Sequence, residues 1–333
     1  MRAQLVGRNG GTCFLLFILA SCAGSGSPTS TSTDAAASTA PSAAGPTQSA
    51  AVPSAPPTLG GRLLFSRFTE ATHTFDAMFA SAADGSGEVE VPMPWTEGGG
   101  RWSRSGELIA IPTQLEDGRV GTAILDAMGN VVRVLDIPDE TLNLPCLVWS
   151  PDDARLACQG WDDDDPTRSG IYTVQSSDGG DIVRVTTPPG GMTDLPGDWS
   201  SNDDIVFNRP SGDSYDGPLL LVSASGGDPR ELMSTSVGDP GRFSPDGTLV
   251  ATSSGGVIHV VDATGSVASS IEVSGSVLFG PAWSPDGGWL VFSADSLGFK
   301  ADLFVSRPDG SELYQVTRTP DNEITVDWGP DPD

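Results

Sequence analysis

Residues 281–294 read PAWSPDGGWLVFSA, and this stretch has the pattern of a β-hairpin. Pro285, Asp286 and Gly287 suit a type I turn that closes with a bulge. Trp283 ends the first predicted strand, and the alternation of apolar and small residues after the turn predicts the second. A single hairpin of this kind is common and carries no function, so its recurrence along the chain is the informative feature.

The pattern occurs six times, as RWSRSGELIAI, VWSPDDARLAC, DWSSNDDIVFN, RFSPDGTLVAT, AWSPDGGWLVF and DWGPDPD. Successive copies lie 40 to 50 residues apart, which is the length of a four-stranded unit with its turns. Further strand–turn–strand segments, such as IYTVQSSDGGDIVRVT at 171–186, lie between them. The aromatic residues of the copies are predicted to have a structural role in the blades; they are Trp102, Trp149, Trp199, Phe243, Trp283 and Trp328.

The two ends of the repeat region have complementary patterns. The last copy contains one strand, whereas GRLLFSRF at 61–68 is a strand with no partner before it. One C-terminal strand and three N-terminal strands complete one blade and remove the free sheet edges. We therefore predict an all-β fold, a six-bladed β-propeller of four-stranded antiparallel blades closed by pairing of the N- and C-terminal segments. An open β-sandwich, the competing architecture, leaves the complementary ends unexplained.

The Trp-Ser-Pro-Asp-Gly turn and the apolar strand after it resemble the repeat of the TolB-type, WD40-like β-propeller family. The resemblance covers about residues 61–333 and implies the propeller fold. The copies at Trp102 and Trp199 lack the proline. The separate N-terminal α/β domain that TolB carries has no counterpart in the pattern, so the resemblance does not imply the role of TolB itself.

The first residues have the composition of an export signal. Residues 1–21 combine Arg2 and Arg8 with a short apolar core, which is too short to span a membrane. The sequence LASC at 19–22 resembles the bacterial lipobox, which implies that Cys22 carries a lipid; the alternative is a plain signal peptide. We therefore expect an exported protein, lipid-anchored to a bacterial membrane and facing outside the cytoplasm.

Residues 22–60 are rich in Ser, Thr, Ala and Pro and have no apolar periodicity. Such a segment buries little apolar surface and is predicted to be a disordered tether. The predicted domains are thus the signal peptide at 1–21, the lipidated cysteine and tether at 22–60, and the propeller at 61–333.

The chain is strongly acidic, with a formal net charge of −27 at pH 7 and a single lysine, Lys300. A surface of this charge repels nucleic acid, so nucleic-acid binding is excluded. We expect a monomeric propeller whose partner is an envelope protein, a peptide or a glycan, and which contacts the membrane through the lipid on Cys22.

The two cysteines of the second copy, Cys146 and Cys158, flank its hairpin. A three-residue loop at 151–153 would place Trp149 opposite Arg155 and Cys146 directly opposite Cys158. Directly opposed Cβ atoms lie near the separation that a disulfide needs, and export favours its formation. We therefore predict a structural Cys146–Cys158 disulfide, with two buried thiols as the alternative.

The sequence contains no catalytic constellation that we can assign. It has no Gly-x-Ser-x-Gly elbow, and no pattern pairs either histidine with a nucleophile. The predicted function is therefore a non-catalytic protein- or ligand-binding scaffold without a cofactor. The alternative is a metal-dependent propeller hydrolase of the lactonase or phosphoesterase kind, with calcium or another divalent cation at the channel mouth; no metal ligand is assigned.

The loops that enter the innermost strands converge around the channel of a propeller, so they form the predicted binding face. Its candidate residues are Trp95, Asp194, Asp198, Asp239, Asp321 and Glu323. The acidic run GWDDDDPTRSG at 160–170 is expected to be an exposed loop, either a solvated charge run or a contact for calcium or a basic partner.

Overall fold

The computed structural model describes residues 58–69, 74–92, 99–212, 214, 216–296 and 300–331. Cys22, the tether up to residue 57 and Trp95 lie outside these ranges, so the predictions made for them stay predictions. The described residues form 25 strands and one short 3-10 turn, Pro166–Arg168. None of their helices has the length and apolar character needed to cross a membrane.

The strands form six antiparallel sheets, one for each repeat. Blade 1 contains β4 (Arg101–Trp102), β5 (Leu108–Gln114), β6 (Val120–Asp126) and β7 (Val131–Val134). Blade 2 contains β9 (Cys146–Trp149), β10 (Arg155–Asp162), β11 (Gly170–Gln175) and β12 (Val183–Arg184), with the short β8 (Leu142–Asn143) also paired to β10. Blade 3 contains β13 (Leu195–Trp199), β14 (Asp204–Asn208), β15 (Gly217–Ser223) and β16 (Arg230–Val237).

Blade 4 contains β17 (Arg242–Phe243), β18 (Leu249–Ser254), β19 (Val257–Asp262) and β20 (Val267–Ile271). Blade 5 contains β21 (Val277–Trp283), β22 (Leu290–Asp295), β23 (Ala301–Ser306) and β24 (Tyr314–Gln315). Blade 6 joins both ends of the chain: its order is β25 (Asn322–Gly329), β1 (Arg62–Thr69), β2 (Thr74–Ala82) and β3 (Val89–Val91). The predicted six-bladed fold and its closure by the two ends are therefore confirmed.

The core consists of six apolar clusters, and each cluster joins two neighbouring blades. Between blades 5 and 6, for example, Trp289 of blade 5 packs with Leu63 of β1 and Trp328 of β25. Each sheet is apolar on both faces because it is covered by a neighbour on each side. The alternating apolar pattern of the repeats thus encodes contacts between blades.

Each Ser-Pro-Asp turn is held by its own side chains. In blade 5, the Ser284 hydroxyl donates to Asp286 Oδ1 (2.6 Å) and accepts the Trp289 N–H (2.9 Å). Asp286 Oδ1 also accepts the Gly288 N–H (2.9 Å), and Gly287 has a φ of 70°, in the left-handed region. Four residues, 285–288, therefore lie between Ser284 and Trp289, one more than the predicted three-residue loop.

This longer loop makes the predicted register of the cysteine hairpin wrong next to the turn. Trp149 pairs with Leu156 and not with Arg155, because the Ser150 hydroxyl accepts the Arg155 N–H across a four-residue loop. A bulge at Leu147 then shifts β9 by one residue in the compensating direction.

The two offsets cancel, so that Cys146 pairs with Cys158 and a disulfide joins them. The Cys146 N–H donates to Thr122 Oγ1 of blade 1 (2.7 Å) and therefore does not donate to the backbone of Cys158. The predicted disulfide is confirmed, although the register that suggested it was not correct.

Candidate functional site in the central channel

The residue directly before each motif aromatic faces the central channel. Register shifts mark a bulge close to this position on β9, β13, β21 and β25, and a bulge bends its strand and redirects side chains. Around the ring these residues follow the order Arg, apolar, Asp, and the order then repeats, so blades 1–3 and 4–6 are alike. The six residues are Arg101, Val148, Asp198, Arg242, Ala282 and Asp327.

They line a cavity of about 380 Å³, within the volume range of ligand pockets. The cavity extends from this ring to the turns between the innermost and second strands, where its lining includes Arg104, Ser201 and Pro285. Its walls also contain motif aromatics, among them Trp149 and Trp199. The site thus combines apolar walls with a few charged groups.

The two channel aspartates each connect neighbouring blades. Asp198 Oδ2 accepts the Phe243 N–H of the next blade (3.0 Å), and Asp327 Oδ2 accepts the Trp102 N–H of the next blade (2.8 Å). These carboxylates therefore complete backbone hydrogen bonding between blades 3 and 4 and between blades 6 and 1, at equivalent places in the two halves of the ring.

Tryptophan side chains make the equivalent connections at two other interfaces. Trp149 Nε1 donates to the Arg101 carbonyl (3.1 Å), and Trp283 Nε1 donates to the Arg242 carbonyl (2.9 Å). Blade 2 is thus bound to blade 1 as blade 5 is bound to blade 4. Because these contacts position the main chain of both arginines, the aromatic repeat also positions the charged ring.

The ion pairs of the channel break this repeat. Arg242 pairs with Asp327, two blades further on (2.9 Å). The equivalent partner of Arg101 would be Asp198, but Asp198 pairs instead with Arg104 (2.5 Å). Arg101 donates one long hydrogen bond to the Gly197 carbonyl (3.4 Å) and has no ion pair with any described residue.

Burial changes the pKa of the groups in this channel. Burial lowers the pKa of Arg101, and the carboxylates of Asp327, Asp198 and Asp239 oppose that change. Burial raises the pKa of Asp327 despite the opposing positive charge of Arg101. Burial acts to lower the pKa of Arg104 as well, but the carboxylates of Asp198, Asp327 and Asp153 together outweigh this effect, and the pKa is raised.

Of the predicted face residues, Asp198 lines the cavity. Asp194 is fully buried and accepts two hydrogen bonds from the Arg209 guanidinium (2.5 and 2.9 Å). Glu323 is also fully buried and accepts from Arg67 Nε (3.0 Å). These two carboxylates hold their own blades together, and their predicted role in binding stays a prediction.

The other predicted face residues lie apart from the cavity lining or outside the described ranges. Asp239 accepts the Gly280 N–H (2.9 Å) and the Ser253 hydroxyl, and burial raises its pKa. The Asp321 N–H donates to Thr319 Oγ1 (3.2 Å), within its own loop. Trp95 falls in residues 93–98, which are not described.

Four charged residues of the cavity were missing from the sequence prediction: Arg101, Arg104, Arg242 and Asp327. The signal for three of them is their position directly before the motif aromatic. The signal for Arg104 is that it follows the motif serine, where four of the six copies have proline. Sequence periodicity by itself does not show that these residues face the channel, because the strand bulges change which side chains point inward.

Residues 163–169 of the acidic run form the loop between β10 and β11, and residues 163–167 are exposed, as predicted for this loop. Arg168 lies within it and pairs with Asp162 (2.9 Å) and with Asp139 of the preceding loop. Asp165 Oδ1 accepts the Thr167 N–H (3.0 Å). Within the described ranges, no group of three or more His, Cys, Asp or Glu residues is arranged to hold a metal ion.

No protein-family model and no curated protein matches the chain. Among solved structures, TolB from Acinetobacter baumannii is similar, with a TM-score of 0.61 and 17% identity over 83% of this chain and 68% of that one. A putative TolB from Agrobacterium tumefaciens has a TM-score of 0.55 and 17% identity over 81% and 99% of the two chains.

A puromycin hydrolase mutant complexed with PGG is also similar, with a TM-score of 0.51 and 20% identity over 81% of this chain and 47% of that one. At these identities the likeness establishes the architecture and leaves the function open. The repeats, the closure by the two chain ends and these similarities agree: this chain is a six-bladed β-propeller, with a fold similar to that of the TolB structures.

Proposed function

We propose that the protein is a lipid-anchored, extracytoplasmic scaffold that binds a protein segment, peptide or other ligand in the mouth of its channel without catalysis. The observation that carries the proposal is the cavity itself, in which aromatic walls surround a ring of charged side chains. Ligand sites commonly combine a concave apolar surface with a few polar groups that fix orientation.

The size of the cavity limits what enters it. A volume of about 380 Å³ lies near the lower end of the range for ligand sites, so it accommodates a short segment or a small molecule. The turns around the mouth, including those at Pro151, Pro245 and Pro285, are then the surface that a larger partner contacts.

The binding surface is tested by photo-crosslinking in intact cells. A photoreactive residue at Ser201, which is exposed and lines the cavity, should give a discrete adduct. Ser225 is the matched control: it is an exposed serine in the β15–β16 turn of the same blade, away from the channel. Equal labelling from both positions, or none from Ser201, would contradict binding at the channel mouth.

The proposed location rests on the export signal and on the disulfide, since disulfides persist in oxidising compartments. Cys22→Ala should abolish labelling with a lipid precursor and block maturation, because it removes the proposed acceptor thiol. Cys13→Ala, in the apolar core of the same signal, is the control and should be labelled normally. Normal labelling of the Cys22 variant would remove the anchor from the proposal.

The hydrolase alternative predicts a different outcome in a direct test. Elemental analysis of the purified protein, with an activity screen on lactones and phosphoesters, distinguishes the two functions. A stoichiometric divalent metal together with turnover would replace the scaffold proposal.

A further inference from the structure

The two halves of the channel ring differ in the ion pairing of one guanidinium, that of Arg101. Arg242 has its carboxylate partner two blades away, whereas the partner expected for Arg101 is occupied. The cause is Arg104, which donates to Asp198 Oδ1 (2.5 Å) and to the Trp199 carbonyl (2.7 Å) from the first motif turn. A single replacement of the motif proline thus leaves the first arginine of the ring without a counter-ion contact.

Arg101 is consequently a cation with unused donors. Its side chain lines the cavity and is half-buried, and it makes one hydrogen bond, at 3.4 Å. A guanidinium has five N–H donors, and burial of a charged group without partners is unfavourable. Burial lowers the pKa of Arg101, which is consistent with incomplete compensation by its surroundings.

We propose that Arg101 binds a carboxylate group of the ligand that enters the channel. This inference rests on the proposed function, because it assigns the chemistry recognised at the same cavity. A carboxylate matches the planar fork of a guanidinium and accepts two parallel hydrogen bonds from it. Aromatic walls of the same cavity, including Trp149 and Trp199, lower the local dielectric constant and strengthen such a pair.

The carboxylate comes either from a chain terminus or from an acidic side chain, and three synthetic mixtures distinguish the sources. The first is an N-acetylated random tetrapeptide mixture without Asp or Glu, as the free acid. The second is the same mixture as its C-terminal amide, and the third is the amide with Glu at the last position. Equilibrium dialysis against the purified full chain gives the apparent Kd of each mixture.

At least one carboxylate-bearing mixture should bind the wild-type protein about tenfold or more tightly than the plain amide. Arg101→Gln should abolish this preference. Arg133→Gln is the matched control, since Arg133 belongs to the outermost strand of the same blade and does not line the cavity. It should keep the preference.

Two further variants test the role of Arg104 while Arg101 is retained. Arg104→Ser introduces the residue found at the equivalent Ser201 and keeps the backbone N–H that donates to Asp153 (2.7 Å). It frees Asp198 to pair with Arg101, so the preference should fall. Adding Asp198→Asn should restore the preference, because Arg101 again lacks a carboxylate partner.

The outcomes separate this inference from the proposed function. Equal binding of all three mixtures would keep the channel as a binding site and overturn the carboxylate site. Binding of none would overturn the carboxylate site, while the crosslinking test at Ser201 would still decide whether the channel mouth binds a partner. A preference that survives Arg101→Gln, or that stays lost when Asp198→Asn is combined with Arg104→Ser, would exclude Arg101 as the anchor.

Discussion

At the scale of single residues, the repeat motif specifies a turn through two polar side chains. Ser150, Ser244 and Ser284 each donate to the aspartate two residues later, at 2.6–2.7 Å. Each serine hydroxyl also accepts the backbone N–H five residues later, at 2.9–3.0 Å. The hydroxyl therefore sets the loop length, because it satisfies the first N–H of the second strand.

Replacement of one such serine should lower stability measurably. Ser284 is only 2% exposed, so Ser284→Ala leaves the Trp289 N–H without its acceptor in a buried site. We expect a loss of about 1–3 kcal/mol in the free energy of unfolding, measured by urea denaturation. Ser311→Ala, which removes an exposed serine–aspartate hydrogen bond in an outer turn, should cost less than about 0.5 kcal/mol. Equal losses would contradict this role for Ser284.

The same turn predicts a dependence of stability on pH. The Ser284 hydroxyl, followed by the Gly288 N–H, lowers the pKa of Asp286 below its unfolded value of about 3.9. This contribution is full above the unfolded pKa and is lost as the pH falls through the folded pKa. The destabilisation by Asp286→Asn should therefore be larger at pH 7 than at pH 3.

Urea denaturation of the two proteins at both pH values measures this difference. In a Ser284→Ala background the pH dependence of the Asp286→Asn effect should shrink, because the main cause of the lowered pKa is removed. An unchanged dependence there would assign the shift to another group.

At the scale of strands, the bulges decide what the innermost strands present to the channel. A strand alternates its side chains between two faces, so one extra residue exchanges the faces. Leu147 on β9 and Gly197 on β13 are such extra residues. They allow the motif aromatic to lie at a blade interface while the residue before it lines the cavity.

The disulfide of blade 2 closes a short loop, with a sequence separation of 12 residues. The chain-entropy model assigns such a loop at most about 3 kcal/mol, so the Cys146→Ala/Cys158→Ala variant should lose no more than this on urea denaturation. In wild-type protein purified without a reductant, alkylation followed by mass spectrometry should find both cysteines unmodified. Free alkylation of both thiols would contradict the disulfide.

At the scale of the whole molecule, stability depends on closing the ring. β25 pairs with β1, and Trp328 packs in the cluster that joins blades 5 and 6. Because every blade has two apolar faces, removal of one strand exposes a sheet edge and parts of two interfaces. The contacts between the two ends therefore stabilise the entire propeller.

Removing side chains or residues of β25 should lower the free energy of unfolding strongly. Trp328→Ala should lower the free energy of unfolding by about 3–5 kcal/mol, as for other buried aromatics, and deletion of residues 324–333 should cost at least as much. Met128→Ala, at a side chain that is 77% exposed, is the control and should change stability by less than about 0.5 kcal/mol. Thermal denaturation measures all three, and an unchanged Tm in the truncated chain would contradict closure by the two ends.

The sequence by itself determined the blade count and the composite sixth blade. These depend on periodic features: apolar alternation, turn residues and the spacing of the six motif aromatics. Periodic features follow local backbone geometry, so they are visible in one chain without any knowledge of its contacts.

Only the tertiary structure decided the hairpin register and the charged groups of the channel. The register depends on an added loop residue and on a compensating bulge at Leu147, which alternation does not reveal. The channel depends on which carboxylate each arginine contacts, and Arg104 and Asp198 are 94 residues apart in sequence. Closing the ring brings them together, because long-range ion pairs depend on positions in space that no local pattern encodes.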